Sequence, residues 1–197
     1  MAVTRASKLI SLTDDATASA FAVSLRKIIQ VVPSSSKSIV TYIDQDGSKK
    51  VRLCSEAATA IATASLSNDV ATLQLITLMD GSTVYVNNDR VVFVDTTASS
   101  TALLRLDMGD RTTKRYEFSL PTAANFKTAT DNLIGVTTIA TESRPAVLRY
   151  INNYYIDQAA TISGGCEVLY DTNRTAEFHK LNINISLAAL KTLVNAL

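Results

Sequence analysis

Apolar and polar residues alternate along much of this chain with a period of two, which turns one side of a strand inward; the clearest case is Tyr116-Glu117-Phe118-Ser119-Leu120. Similar runs precede it. Leu73-Gln74-Leu75-Ile76-Thr77-Leu78 ends at Asp80-Gly81, a dipeptide suited to a tight hairpin because glycine tolerates positive φ. Thr83-Val84-Tyr85-Val86 and Val91-Val92-Phe93-Val94 flank the polar Asn87-Asn88-Asp89-Arg90, which predicts one long strand, bent or bulged in the middle. Leu103-Leu104-Arg105-Leu106 then pairs with the Tyr116 run across the Met108-Gly109-Asp110 turn. Pro121 stops the last strand, and Thr122 is placed to cap a helix running to about Leu133. The stretch reads as ββββα.

The same order recurs at a step of about 63 residues. Arg26 to Val31 aligns with Asp89 to Val94 and then with Asn152 to Asp157; Ile10 and Leu12 align with Leu73 and Leu75, and Phe21 with Val84 and Val147. In the first unit the strands are Val23 to Val32, Ser38 to Ile43 and Lys49 to Cys54, with a turn at Asp46-Gly47 and an Ala-rich helix opened by Ser55-Glu56. In the third they are Thr137 to Ala140, Ala146 to Ile156, Cys166 to Tyr170 and Ala176 to Ile183, followed by a helix that Ser186 caps from Leu187 onward. The expected architecture is α+β and β-dominated: three tandem ββββα repeats over residues 8–70, 71–133 and 134–197. A sheet of four strands with one short helix is marginal alone, so the units must pack together. They would form a pseudo-threefold cluster, monomeric in solution with its strand edges covered, or a short row whose end units present open edges. In either case the runs Ile28 to Val32, Val91 to Val94 and Tyr154 to Ile156 are expected at equivalent buried positions.

Composition narrows the function classes. With 47% hydrophobic residues, 6 Gly and 3 Pro, the chain can bury a core and is not a disordered linker. A net charge of +1 gives no general attraction for nucleic acid or anionic lipid. Cys54 and Cys166 are too few for a disulfide scaffold and too far apart for a zinc ribbon, which suggests a reducing compartment. Met1 to Ser7 lacks the features of a signal peptide, and no apolar run is long enough for a membrane helix. The expectation is synthesis in a cytoplasm and no membrane partner.

Candidate chemistry is sparse. The single histidine, His179, sits in an alternating strand, where a surface position is the simpler reading than a base or ligand. Asp44, Asp107 and Asp171 recur at the end of the third strand of each unit and read as turn residues, without the spacing of a calcium loop. No phosphate-binding glycine motif occurs, so no cofactor, metal or catalytic residue is expected, and the protein is not expected to be an enzyme. The basic residues Arg111, Lys114 and Arg115, with Lys49, Lys50 and Arg52 on the equivalent hairpin, suit solvated or charge-protected edges; the rival reading is contact with an acidic partner surface or packaged nucleic acid, which Asp107 and Asp110 beside the run disfavour. Tyr150, Tyr154 and Tyr155 concentrate in the third unit and, with the Arg111 cluster, form the candidate protein interface, because tyrosine offers apolar area with a polar tip.

Two resemblances bear on function. The segment Asp80-Gly81-Ser82-Thr83-Val84-Tyr85-Val86-Asn87-Asn88-Asp89-Arg90-Val91-Val92-Phe93-Val94, followed by a second hairpin and a helix, resembles the FlbD-type small flagellar proteins over about 60 residues. Tandem β-rich units with Ser, Thr and Ala throughout look like a structural protein of a tailed-bacteriophage virion. What this implies is a non-enzymatic component of the virion, capsid-associated or at the head–tail region, assembled in the bacterial cytoplasm with other virion or assembly proteins as partners. The alternative is a soluble adaptor or regulator that binds one bacterial or phage protein.

Overall fold

A computed structural model describes residues 9–66, 73–96, 101–119, 133–171 and 178–195. It is β-dominated, with several antiparallel sheets and two helices among the described residues. The helix expected after Thr122 lies outside the described residues. By contacts the chain divides into two compact bodies, Met1–Arg90 with Met108–Asp110, and Val91–Asp107 with Arg111–Leu197.

The first body opens with a hairpin, β1 (Leu9–Thr13) and β2 (Ala20–Ser24), which a 3-10 turn (Leu25–Lys27) joins to β3 (Ile28–Ser34). β4 (Lys37–Ile43), β5 (Lys49–Cys54) and α1 (Ala58–Leu66) follow, then a second hairpin, β6 (Leu73–Thr77) and β7 (Thr83–Asn87), and a 3-10 turn at Asn88–Arg90. The main sheet has the order β5-β4-β3-β7-β6, so the second hairpin adds to the edge of β3. The first hairpin instead meets β5 end to end: Ser55 N–H donates to Thr13 O (3.0 Å) and Asp15 N–H to Leu53 O (2.9 Å). Between hairpin, sheet and helix lies a core that includes Leu12, Leu25, Ile28, Val31, Val40, Tyr42 and Ile61. The two Asp-Gly-Ser turns use one device. The Asp46 and Asp80 carboxylates each accept from a serine hydroxyl and N–H two residues on, which holds both below the usual carboxylate range, and Gly47 and Gly81 take the φ of +81° that closes the turn.

The second body begins with β8 (Val91–Thr96), β9 (Thr101–Asp107) and β10 (Thr113–Ser119), and continues through the hairpin β11 (Leu133–Thr137) and β12 (Leu148–Asn152) to a 3-10 turn at Asn153–Tyr155. β13 (Ile156–Ile162), β14 (Gly165–Asp171), β15 (Phe178–Ile183) and α2 (Leu187–Asn195) complete it. Its sheets have the orders β10-β9-β8-β12-β11 and β13-β14-β15. β11 meets the end of β15 as β1 meets β5: Asn184 N–H donates to Thr137 O (2.8 Å) and Ile139 N–H to Asn182 O (2.9 Å). Ile134, Val136 and Ile151 of the hairpin pack with Cys166, Val168, Ile183 and Leu190. Ser186 caps α2 as expected, its hydroxyl accepting from Ala189 N–H at 3.2 Å.

Several expectations need correction, and the first applies to all three stretches: Val23 to Val32 is broken at Leu25–Lys27 and Ala146 to Ile156 at Asn153–Tyr155, as the strand described next is broken at Asn88–Arg90. The single bent strand across Asn87 to Arg90 is two strands separated by a 3-10 turn, and its halves lie in different sheets, because three successive residues that close a tight turn cannot continue a ladder. In the third stretch the first strand is Leu133–Thr137, upstream of Thr137 to Ala140. Finally, Tyr154 belongs to the 3-10 turn rather than to a buried run; the strand in the place of Val91–Thr96 begins at Ile156, two residues later than the 63-residue step puts it.

Candidate functional site

The most distinctive local geometry occurs where a hairpin joins the sheet that precedes it. β7 pairs with β3 through Gln30 opposite Val86 and Val31 opposite Tyr85. β12 pairs with β8 through Phe93 opposite Ile151 and Val94 opposite Tyr150. In both junctions the first paired residue directly follows a bulge, between Ile28 and Gln30 or between Val91 and Phe93. Each is clamped by a fully buried asparagine at the end of the hairpin. The Asn87 amide donates to Ile28 O at 2.7 Å and its carbonyl accepts from Asp89 N–H at 3.0 Å; Asn152 donates to Val91 O at 2.9 Å and accepts from Tyr154 N–H at 3.0 Å. One side chain thus ties the hairpin to the sheet and fixes the turn that leads out of it. The sequence reading missed these asparagines, although each opens an Asn-Asn pair after an aliphatic residue.

The second junction has a further device. Arg149 and Asp95 face each other across β12 and β8 and form a two-pronged ion pair, Nε to Oδ1 and Nη2 to Oδ2 (2.6 Å), with both side chains largely buried. The Arg149 guanidinium also lies 4.1 Å from the centre of the Phe93 ring. Continuing the register of the first junction by one step puts Val32 and Val84 at the corresponding positions.

The candidate interface residues are dispersed in kind. Of the three tyrosines, Tyr154 is 68% exposed, whereas Tyr150 and Tyr155 are half-buried. The Tyr155 hydroxyl donates to the Asp107 carboxylate at 3.1 Å, and its ring packs on the cluster of Val92, Phe93 and Tyr170. Arg111, Lys114 and Arg115 are all exposed. Arg111 has a φ of +67°, Lys114 sits 4.8 Å from the centre of the Tyr116 ring, and Arg115 pairs with Glu117 at 2.6 Å. On the first body, Lys49 pairs with Asp110, and the neighbouring strands expose an apolar patch of Ile39, Val51 and Leu53.

The remaining candidates take structural places. Cys54 is buried, and burial, helped by the Glu56 and Asp14 carboxylates, pushes its thiol up to about 11; burial also raises Cys166. His179 lies in β15 opposite Tyr170. Asp44 sits in a turn, accepting from Gln45 N–H at 2.8 Å through its side chain and from Gly47 N–H at 3.1 Å through its carbonyl. Among the described residues no group of three or more His, Cys, Asp or Glu is placed to hold a metal ion, and no helix is long and apolar enough to cross a membrane. No family model, curated protein or solved structure matches the chain.

Proposed function

We propose that the chain consists of three copies of one unit, built of two strands, a 3-10 turn and three strands, followed in the first and third by a helix, and that it acts without catalysis as a structural component of a tailed-bacteriophage virion. Its place there is capsid-associated or at the head–tail region, and its partners are other virion or assembly proteins. One observation carries this reading: two hairpins complete the preceding sheet with the same register, the same bulge and the same asparagine clamp. A unit whose sheet is finished by its neighbour is suited to assembly, because the joining surface is main chain in a fixed register. Fractionation of mature particles tests the assignment. The protein is expected to co-sediment with them at a fixed copy number; particles that lack it, with all the protein left soluble, overturn the assignment.

The exposed Ile39, Val51 and Leu53 favour a second reading, an adaptor that binds one bacterial or phage protein through this face. A charged residue at Val51 would then abolish capture of that single partner without changing particle content.

A further inference from the structure

β3 and β8 are central strands with four or more consecutive buried residues, Ile28 to Val31 and Val91 to Asp95. β13 follows its 3-10 turn in the same way and has the same bulge, between Ile156 and Gln158, but it is an edge strand and none of its residues is fully buried. Among the described residues no strand covers its outer edge. The complementary element is β2: it ends at a 3-10 turn as β7 and β12 do, yet among the described residues it forms a ladder with β1 alone. β2 carries no charge, and β13 carries one, Asp157, within its bulge, so neither edge has the run of charges that usually protects an open strand. β2 reads Ala-Phe-Ala-Val-Ser and β13 beyond its bulge reads Gln-Ala-Ala-Thr-Ile, whereas β5 carries Lys49, Lys50 and Arg52, and β10 carries Lys114, Arg115 and Glu117.

We infer that β13 of one molecule accepts β2 of a second copy of this chain, antiparallel, with Gln158 opposite Val23 and Ala159 opposite Ala22. The register follows from the two junctions inside the chain. There the residue after the bulge, Gln30 or Phe93, faces the residue two before the 3-10 turn, Val86 or Ile151. The corresponding residues are Gln158 and Val23. Continuing the pairing places Ala160 against Phe21, whose ring stays stacked on Tyr42 of its own body, and Thr161 against Ala20, so small side chains on β13 face β2 without a clash. The contact is head-to-tail and therefore closes into a ring or propagates as a filament. It is also weaker than the internal junctions. At the clamp position stands Ser24, which makes no side-chain cap bond, in place of Asn87 or Asn152, so joining between copies is reversible where joining within the chain is permanent.

This inference rests on the repeat reading above and not on the virion assignment, and the tests separate the two. In sedimentation velocity the full-length protein is expected to show a mass that rises with concentration. Mixing Ala22→Cys protein with separately purified Ala159→Cys protein under mild oxidation is expected to give a cross-linked heterodimer, while Ala160→Cys, one register step away, gives none with Ala22→Cys. Ser24→Asn is expected to lower the association midpoint several-fold. Ala20→Lys with Thr161→Lys is expected to raise it at unchanged melting temperature, and Ala20→Glu with Thr161→Lys to retain association, since facing like charges oppose a ladder and opposite charges support it. A mass that stays monomeric at all concentrations, or an Ala22→Cys/Ala159→Cys double variant that cross-links only within one molecule, overturns the inference. Particles that contain the protein while the cross-link fails would refute the inference and leave the virion reading standing; self-association of a protein absent from particles would do the reverse.

Discussion

Asn87 and Ser24 occupy the same place in successive hairpins and show how much one side chain decides. Asn87→Ala removes a buried donor and leaves the Ile28 carbonyl unsatisfied, a loss of about 1–3 kcal/mol in urea unfolding. Ser24→Ala, which breaks no cap bond, is expected to stay within about 0.5 kcal/mol. Equal losses at both sites would remove the asparagine from its role as a clamp. Glycine is decisive at Gly165 for a different reason: a Cβ there would lie 2.0 Å from the backbone oxygen of Ile183, which cannot turn aside as a side chain can. Gly165→Ala is therefore expected to cost about 3 kcal/mol by displacing β15. Its neighbour Gly164 has open space and only its φ of +80° to accommodate, so Gly164→Ala should cost about 1 kcal/mol. Thermal unfolding of the two variants side by side checks the order.

At the scale of elements, the two internal junctions solve one pairing problem with different chemistry. Asp95→Ala strands Arg149 in a largely buried site and is expected to destabilise by about 3 kcal/mol. Asp95→Val with Arg149→Val, which puts at these positions the residues found at the corresponding places next to the first junction, should recover to within about 1 kcal/mol of the parent; a double variant no better than the single would show that valines do not substitute for the ion pair. The strands themselves were legible, since Leu73 to Leu78, Leu103 to Leu106 and the Tyr116 run form ladders near where their alternation predicts them. The junctions were not. A polar segment such as Asn87 to Arg90 has no periodicity to show that it ends one sheet and starts another, and the 63-residue step set Asn152 against Asp89 rather than against Asn87. β11 starts 60 residues after β6 but β12 starts 65 after β7, because the connection from Thr138 to Val147 is longer than that from Leu78 to Ser82, and this uneven step hid the second Asn-Asn pair. Tyr154 and Tyr155 looked alike in sequence, but the turn exposes one ring and packs the other on Phe93 and Tyr170.

For the whole molecule, the units expected from the sequence and the folded bodies have different borders. Residues 8–70 include β3 but not the β6–β7 hairpin that covers it, whereas the first body extends to Arg90. A fragment of residues 1–90 is expected to unfold cooperatively with slow amide exchange along β3. A fragment of residues 1–70 should lose that protection, and equal protection in both would mean that the hairpin adds little to the sheet. The handover of each hairpin to an earlier sheet also sets the timing of synthesis. When β5 leaves the ribosome at Cys54, the first sheet still lacks two of its strands, and β7 is complete only at Asn87. At about 5–20 residues per second, translation leaves β3 with one bare side for roughly 2–7 s. Nascent chains on one message pass through that window in close succession, so the uncharged stretch from Ile28 to Val32 is where translation speed and chaperone access bear most directly on the yield of folded protein.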